Sequence, residues 1–188
     1  MNENIFKNKQ ERFAEIKIAT VEDVQYYKNI RIEAIETDPD AFDLSPEKVT
    51  EEKNRSDKEW KGDLADKNQF TVLLKYNGDA KGMAKGINRG KGFWALRAVY
   101  VTPDFRKSVT GSSVAEEMVQ EVLNEIKKRK GKIVRLGVRI GRDSAVKIYE
   151  KLGFRELSES EVGEYLDLEV LKKWKIMMLD LTKQKDKL

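Results

Sequence analysis

The run WALRAVYVTPDFRKSVTGSSVAEEMVQEVLNEIKKRK, Trp94 to Lys130, constrains the fold more than any other part of the chain. Its apolar, β-branched opening, Ala95 to Val101, predicts a buried strand, and Pro103 ends the ladder. A segment holding Arg106, Lys107, Ser108, Thr110, Gly111 and Ser112 then leads into a helix, for which Ser112 or Ser113 supplies an N-cap. Val114, Met118, Val119, Val122, Leu123 and Ile126 form one face of that helix, opposite Glu116, Glu117, Gln120 and Glu121. Free N–H groups at the helix start, the positive end of its dipole and the cations Arg106 and Lys107 all favour an anion, most often a phosphate. An ordinary capped turn with exposed basic residues has the same spacing, so the junction alone leaves both readings open.

Several chemistries are excluded by composition. The 188 residues include no Cys and no His, which removes disulfides, thiolate metal sites, cysteine nucleophiles and every imidazole base. Any metal would rest on carboxylates, and none is expected. The formal charge of +4, from 37 basic and 33 acidic residues, is too balanced to indicate nucleic acid. No apolar run spans a bilayer and the N-terminus is polar, so a cytoplasmic protein without a membrane role is expected.

Residues 1–12 read as a flexible arm, 13–182 as a single domain and 183–188 as a frayed tail. Phe13 to Ile18 is a first strand. Thr20 with Asp23 opens a helix that ends near Thr37, ahead of Pro39. Ser45-Pro46 starts a second helix, and Ser56 or Asp57 caps a further turn carrying Trp60 and Leu64. Gln69 to Tyr76, the turn Asn77-Gly78 and a strand over Lys81 to Ile87 make a hairpin. After the long helix, Gly131 reads as its C-cap and Lys132 to Ile140 as a buried strand, parallel to the one before the helix by the usual crossover rule. Asp143 or Ser144 caps a short helix that Gly153 stops. Phe154 begins another strand, the acidic connection ESEVGEYLDLE follows, and Trp174 to Leu181 is the last strand.

Two phrases in this order resemble the GNAT N-acetyltransferase superfamily, and the resemblance covers Ile16 to Leu181. One is VYVTPDFRKSVTGSS, with Val99, Tyr100 and Val101 in the strand, Arg106 in the family's Gln/Arg place and Gly111 in its last Gly place. The other is AVKIYEKLGF, Ala145 to Phe154, about forty residues on; RIEAIETDPDAF, Arg31 to Phe42, is a weaker third likeness. The resemblance implies an α+β fold, a mixed and mostly antiparallel sheet of about six to seven strands with helices on both faces. It also implies acetyl-CoA as co-substrate and direct attack by an amine acceptor. Val99 to Val101 would hold the pantetheine arm, and the segment Lys107, Ser108, Val109, Thr110, Gly111 and Ser112 the pyrophosphate. Tyr149 would act as the acid toward the thiolate, and Glu33 as base or amine anchor. By its charge alone, the acidic connection is either a simply solvated stretch or one that draws a cationic amine. Homodimers are common among relatives.

The chain departs from the family pattern in two places. Val109 replaces the first loop glycine, and a β-branched residue resists positive φ where the backbone should approach the phosphates. Lys107 also stands where Gly is frequent. Arg142 replaces a common Asn, leaving it as either a CoA-phosphate ligand or a surface residue. An acetyltransferase and a GNAT-fold binding protein that has lost turnover are therefore the two readings the sequence supports.

Overall fold

The computed structural model describes residues 14–106, 113–162 and 168–184, with side chains left undescribed at 168 and 169. The expected N-terminal arm, the loop from Lys107 to Ser112 with Val109 and Gly111, the middle of the acidic connection and the tail beyond 184 lie outside the described residues.

Alternating apolar runs and tight turns build the first half of the sheet. β1 (Ala14–Ile18), β2 (Gln69–Tyr76) and β3 (Asp79–Gly90) pair antiparallel. Asn77 and Gly78 both have positive φ, 50° and 84°, the backbone that a two-residue hairpin turn needs and that Asn-Gly tolerates. β3 runs past the expected Ile87 to Gly90, and a second turn feeds β4 (Phe93–Val101).

Between β1 and β2 lie four helices. A 3-10 turn precedes α1 (Val24–Thr37), and the Asp23 carboxylate accepts the Thr20 N–H at 3.0 Å. α2 (Pro39–Phe42) is a single turn where only loop was expected. α3 (Pro46–Lys53) starts at Ser45 and α4 (Asp57–Ala65) at Ser56, as the capping residues predict.

The second half follows the crossover. α5 (Val114–Lys128) is capped by Ser113, whose Oγ accepts the Glu116 N–H at 3.1 Å, and it leads to β5 (Ile133–Arg139), parallel to β4. α6 (Asp143–Lys151) has Arg142, not Asp143 or Ser144, at its N-cap position. Then come β6 (Arg155–Glu156), the single turns α7 (Glu159–Val162) and α8 (Leu168–Leu171), and β7 (Trp174–Asp180). Among the described residues the sheet has seven strands in the order β1-β2-β3-β4-β5-β7-β6, and β4–β5 is its one parallel pair.

Each face of the sheet carries a core. Trp94, Leu96, Val134 and Leu136 pack on one side with Met118, Val122 and Ile126 of α5. On the other, Leu73, Met83 and Tyr100 pack with Tyr27 and Ile30 of α1 and Trp60 of α4. The result is the three-layer α+β architecture expected from the sequence. Among the described residues no helix is long and apolar enough to cross a membrane.

Gly131 is needed for a reason other than the expected one. Lys130, not Gly131, takes the left-handed conformation, with φ 60°. A Cβ on Gly131 would lie 2.3 Å from Ile126 Cγ2 and 2.7 Å from Trp94 Cδ1, so Gly is there for room. Gly131→Ala should therefore cost about 1–3 kcal/mol by overpacking. Gly62→Ala, in α4 with nothing within 4 Å, should gain up to about 1 kcal/mol. Urea unfolding midpoints should move in opposite directions for the two variants.

Candidate active site

The decisive local event is a bulge in β4. Trp94 and Leu96 face the α5 core, and strict alternation would send Ala98 the same way. Instead Ala98 has φ 53° and packs on the α1 side, while the register with β3 slips between Lys85↔Arg97 and Met83↔Tyr100. One extra residue in β4 re-aims everything after it, so Val99 and Val101 turn to the α5 side and Tyr100 to the α1 side.

β5 does not follow the bulged strand. It pairs with β4 only at Phe93↔Ile133, Trp94↔Val134 and Ala95↔Arg135, yet pairs with β7 along its full length, from Ile133↔Asp180 to Arg139↔Trp174. Past Ala95 and Arg135 the two strands part. The backbone of Val99 to Val101 there borders a cleft of about 1210 Å³ instead of a neighbouring strand. Ser113 and Ala115, at the N-terminus of α5, line the same cleft, as do Tyr149 of α6 and Arg106. Arg106 Nε donates to the Val101 carbonyl at 2.8 Å, and its guanidinium lies 5.5 Å from the Tyr100 ring centre. An unpaired strand edge, a helix N-terminus and a cation thus converge on one opening.

Tyr149 is buried, and its ring meets Phe154 edge-on at 5.8 Å. Gly153, with φ 91°, lets the chain reverse so that the Phe154 N–H returns to the Tyr149 carbonyl at 2.9 Å. Burial pushes the Tyr149 phenol up to about 12, so the hydroxyl holds its proton in the neutral range.

Glu33 does not line the cleft. Its Oε1 accepts from the Tyr100 hydroxyl at 3.1 Å and from Thr102 Oγ1 at 2.8 Å, tying α1 to the end of β4. Arg142 sits at the cleft mouth with its guanidinium 2.5 Å from Asp38 Oδ1. It thereby joins the start of α6 to the α1–α2 corner, and Arg139 ties the end of β5 to Asp43, just past α2, at 3.5 Å. In the acidic connection, Glu161 is held by Arg155 at 2.6 Å.

A polar network on the α1 side escaped the sequence reading. Lys85 donates to the Tyr27 hydroxyl at 2.7 Å, which donates to Asp63 at 3.2 Å, and Arg55 lies 3.1 Å from Asp63. Arg31 pairs with Glu52 at 3.2 Å beside them. Burial lowers the Lys85 pKa; burial also pushes Asp63 upward, but Arg55 and Lys85 outweigh it and leave that carboxyl below its ordinary value. The one local sign was a lone Lys between Ala84 and Gly86 in a buried strand.

A family model described as "Acetyltransferase (GNAT) domain" matches residues 40–168. The chain belongs to the GNAT acetyltransferases. Among solved structures, a GNAT-family acetyltransferase from Staphylococcus aureus Mu50 superposes with a TM-score of 0.66 at 15% identity, over 90% of this chain and 99% of that one. PaiA N-acetyltransferase from Thermoplasma acidophilum, in complex with coenzyme A, gives 0.64 at 15% identity, over 89% and 99%. The ribosomal-protein-S18-alanine N-acetyltransferase from Escherichia coli gives 0.60 at 18%, over 94% and 99%. At these identities the likeness to each GNAT structure is one of fold. No curated protein sequence matches the chain.

Glu33→Ala should leave the Tyr100 and Thr102 hydroxyls without their acceptor and cost about 1–3 kcal/mol. Glu33→Gln keeps an acceptor oxygen and should lose less than half of that by urea denaturation.

Proposed function

We propose that this protein transfers an acetyl group from acetyl-CoA to a primary amine by direct attack. The observation that carries the reading is the parting of β4 from β5 beyond Ala95 and Arg135, in front of the α5 N-terminus. A thioester on an extended amide-bearing arm suits an opening whose wall is unpaired strand backbone, and a diphosphate suits a helix start beside Arg106. Lys107 to Ser112 would complete the phosphate site, with Val109 as the residue that weakens it.

The bound thioester supplies an activated acyl carbon. This chain supplies position: β4 backbone from Val99 to Val101 aligns the arm, and the cleft walls bring an amine to it, a gain of orientation over encounter in solution. Backbone N–H groups of the opened strand support negative charge on the carbonyl oxygen. Tyr149 lines the cleft with its proton secured by burial, and it protonates the departing thiolate. Glu33, committed to two hydroxyls, acts by fixing the end of β4. The amine's proton leaves through water in the open cleft.

The second reading, a GNAT-fold binding or regulatory protein that has lost turnover, rests on Val109 alone. Acetyl-CoA at millimolar concentration should raise Tm in a thermal-shift titration, since a ligand of the native state stabilises it; an unchanged Tm would reject the transferase reading in favour of the second. Tyr149→Phe should lower kcat by about a hundredfold or more while leaving the acetyl-CoA Kd nearly unchanged. An equal loss of affinity would contradict the acid role. Because the folded-state pKa of Tyr149 is raised, its contribution to stability is complete below about pH 10 and is lost as the pH climbs toward 12. The alkaline limb of the pH–rate profile should accordingly show no loss from Tyr149 below about pH 10.

A further inference from the structure

The charges lining the cleft do not balance. Its acids, Asp38, Asp43, Glu52 and Asp63, are each already paired with a cation, respectively Arg142, Arg139, Arg31 and Arg55. Arg89, Arg97, Arg106 and Arg135 also line it, and none of them has an ion pair among the described residues.

These four fall into two groups. Arg106 stands beyond the end of β4, near the α5 N-terminus, where the proposed function puts the cofactor phosphates. Arg97 and Arg135 stand at the closed end of the opening: Arg135 is opposite Ala95 in the last β4–β5 pair, and Arg97 is two positions further along β4. From Ala95 to Val101 the strand covers about 20 Å, so one diphosphate does not serve both ends.

The closed end is costly as built. Lys85 is opposite Arg97 in the β3–β4 register, although Asp63, 3.7 Å from Lys85, answers much of its charge. Burial disfavours the Arg97 charge, and Arg89 repels it. Arg135 Nε is buried with no hydrogen-bond partner, although its guanidinium lies 5.4 Å from the Phe93 ring centre. Arg97 and Arg135 thus line the same cleft from neighbouring strands with no ion pair among the described residues, each guanidinium able to grip a carboxylate with paired N–H donors.

We infer that Arg97 and Arg135 bind a carboxylate of the acceptor, so that the substrate is a small amine that also carries a carboxylate, an amino acid in type, and not a polyamine. The inference rests on the transferase reading for the amine and on the charge arrangement for the carboxylate. Polyamines would meet a cleft whose acids are all engaged and whose spare charge is positive.

The test uses the full chain saturated with CoA and a panel of amino acids, their carboxamides, putrescine and spermidine, followed by thermal shift and by acetylation with acetyl-CoA. At least one acidic or neutral amino acid should raise Tm saturably and should be acetylated with kcat/KM at least tenfold above its carboxamide. Arg97→Gln and Arg135→Gln should each raise KM for that amino acid about tenfold, with kcat less affected and the CoA-induced shift retained as proof of folding. Arg97→Lys should recover part of the loss. Binding of amino acids that needs Arg97, without any product, would uphold the carboxylate site and reject the transferase reading. Equal use of carboxamides, preference for polyamines, or no amino-acid binding to the CoA-loaded protein would overturn the inference.

Discussion

Hydrogen bonding between β4 and β5 stops after three residue pairs, and the rest of the site depends on that stop. β4 is committed to β3 through a bulged register and β5 to β7 through an unbroken one, so each strand has a partner that pulls it away from the other. Ala98 stores the local cost, as a non-glycine residue at positive φ. In return the sheet exposes backbone donors and acceptors inside a walled cleft, where an ordinary sheet would have none free. The α5 N-terminus and Tyr149 reach this opening because the crossover helix and α6 both leave from the strand ends that frame it.

Electrostatics divide the cleft. Its acids are used internally, two of them, one at each end of α2, to tie that turn to Arg142 and Arg139 and two to hold the Lys85–Arg55–Arg31 group. Arg142 is accordingly a strut across the mouth. What remains for ligands is positive at both ends: Arg106 with a helix start at one, Arg97 and Arg135 at the other. A neutral, protonated phenol stands among them, the protonation state an acid for a leaving thiolate requires.

Most of the fold could be read from local chemistry. Ser45, Ser56 and Ser113 begin helices, Asn77-Gly78 turns a hairpin, Gly153 ends α6, and the period-two and helical patterns locate the strands and helices they flank. Misreadings arose where tertiary contact decides. Gly131 is kept small by Trp94 and Ile126, and Arg142 replaces a capping side chain because Asp38 lies opposite it. α2 forms where Pro39 permits a turn that packs near β5. At the site, family phrases led to Val99–Val101, Arg106 and Tyr149, all of which line the cleft. They could not lead to Tyr27, Asp63 and Lys85, since residues from α1, α4 and β3 meet only once the sheet is assembled. Nor could they separate Glu33 as a base from Glu33 as a tie, because the distinction is whether its carboxylate is already occupied.

The claim that the parted strands receive a cofactor arm is open to amide hydrogen exchange along β4. With CoA bound, the Val99 and Val101 amides should gain protection, while that of Tyr100, which faces β3, and those from Phe93 to Ala95, already paired with β5 or β3, should change little. Protection that leaves Val99 and Val101 untouched would contradict the account.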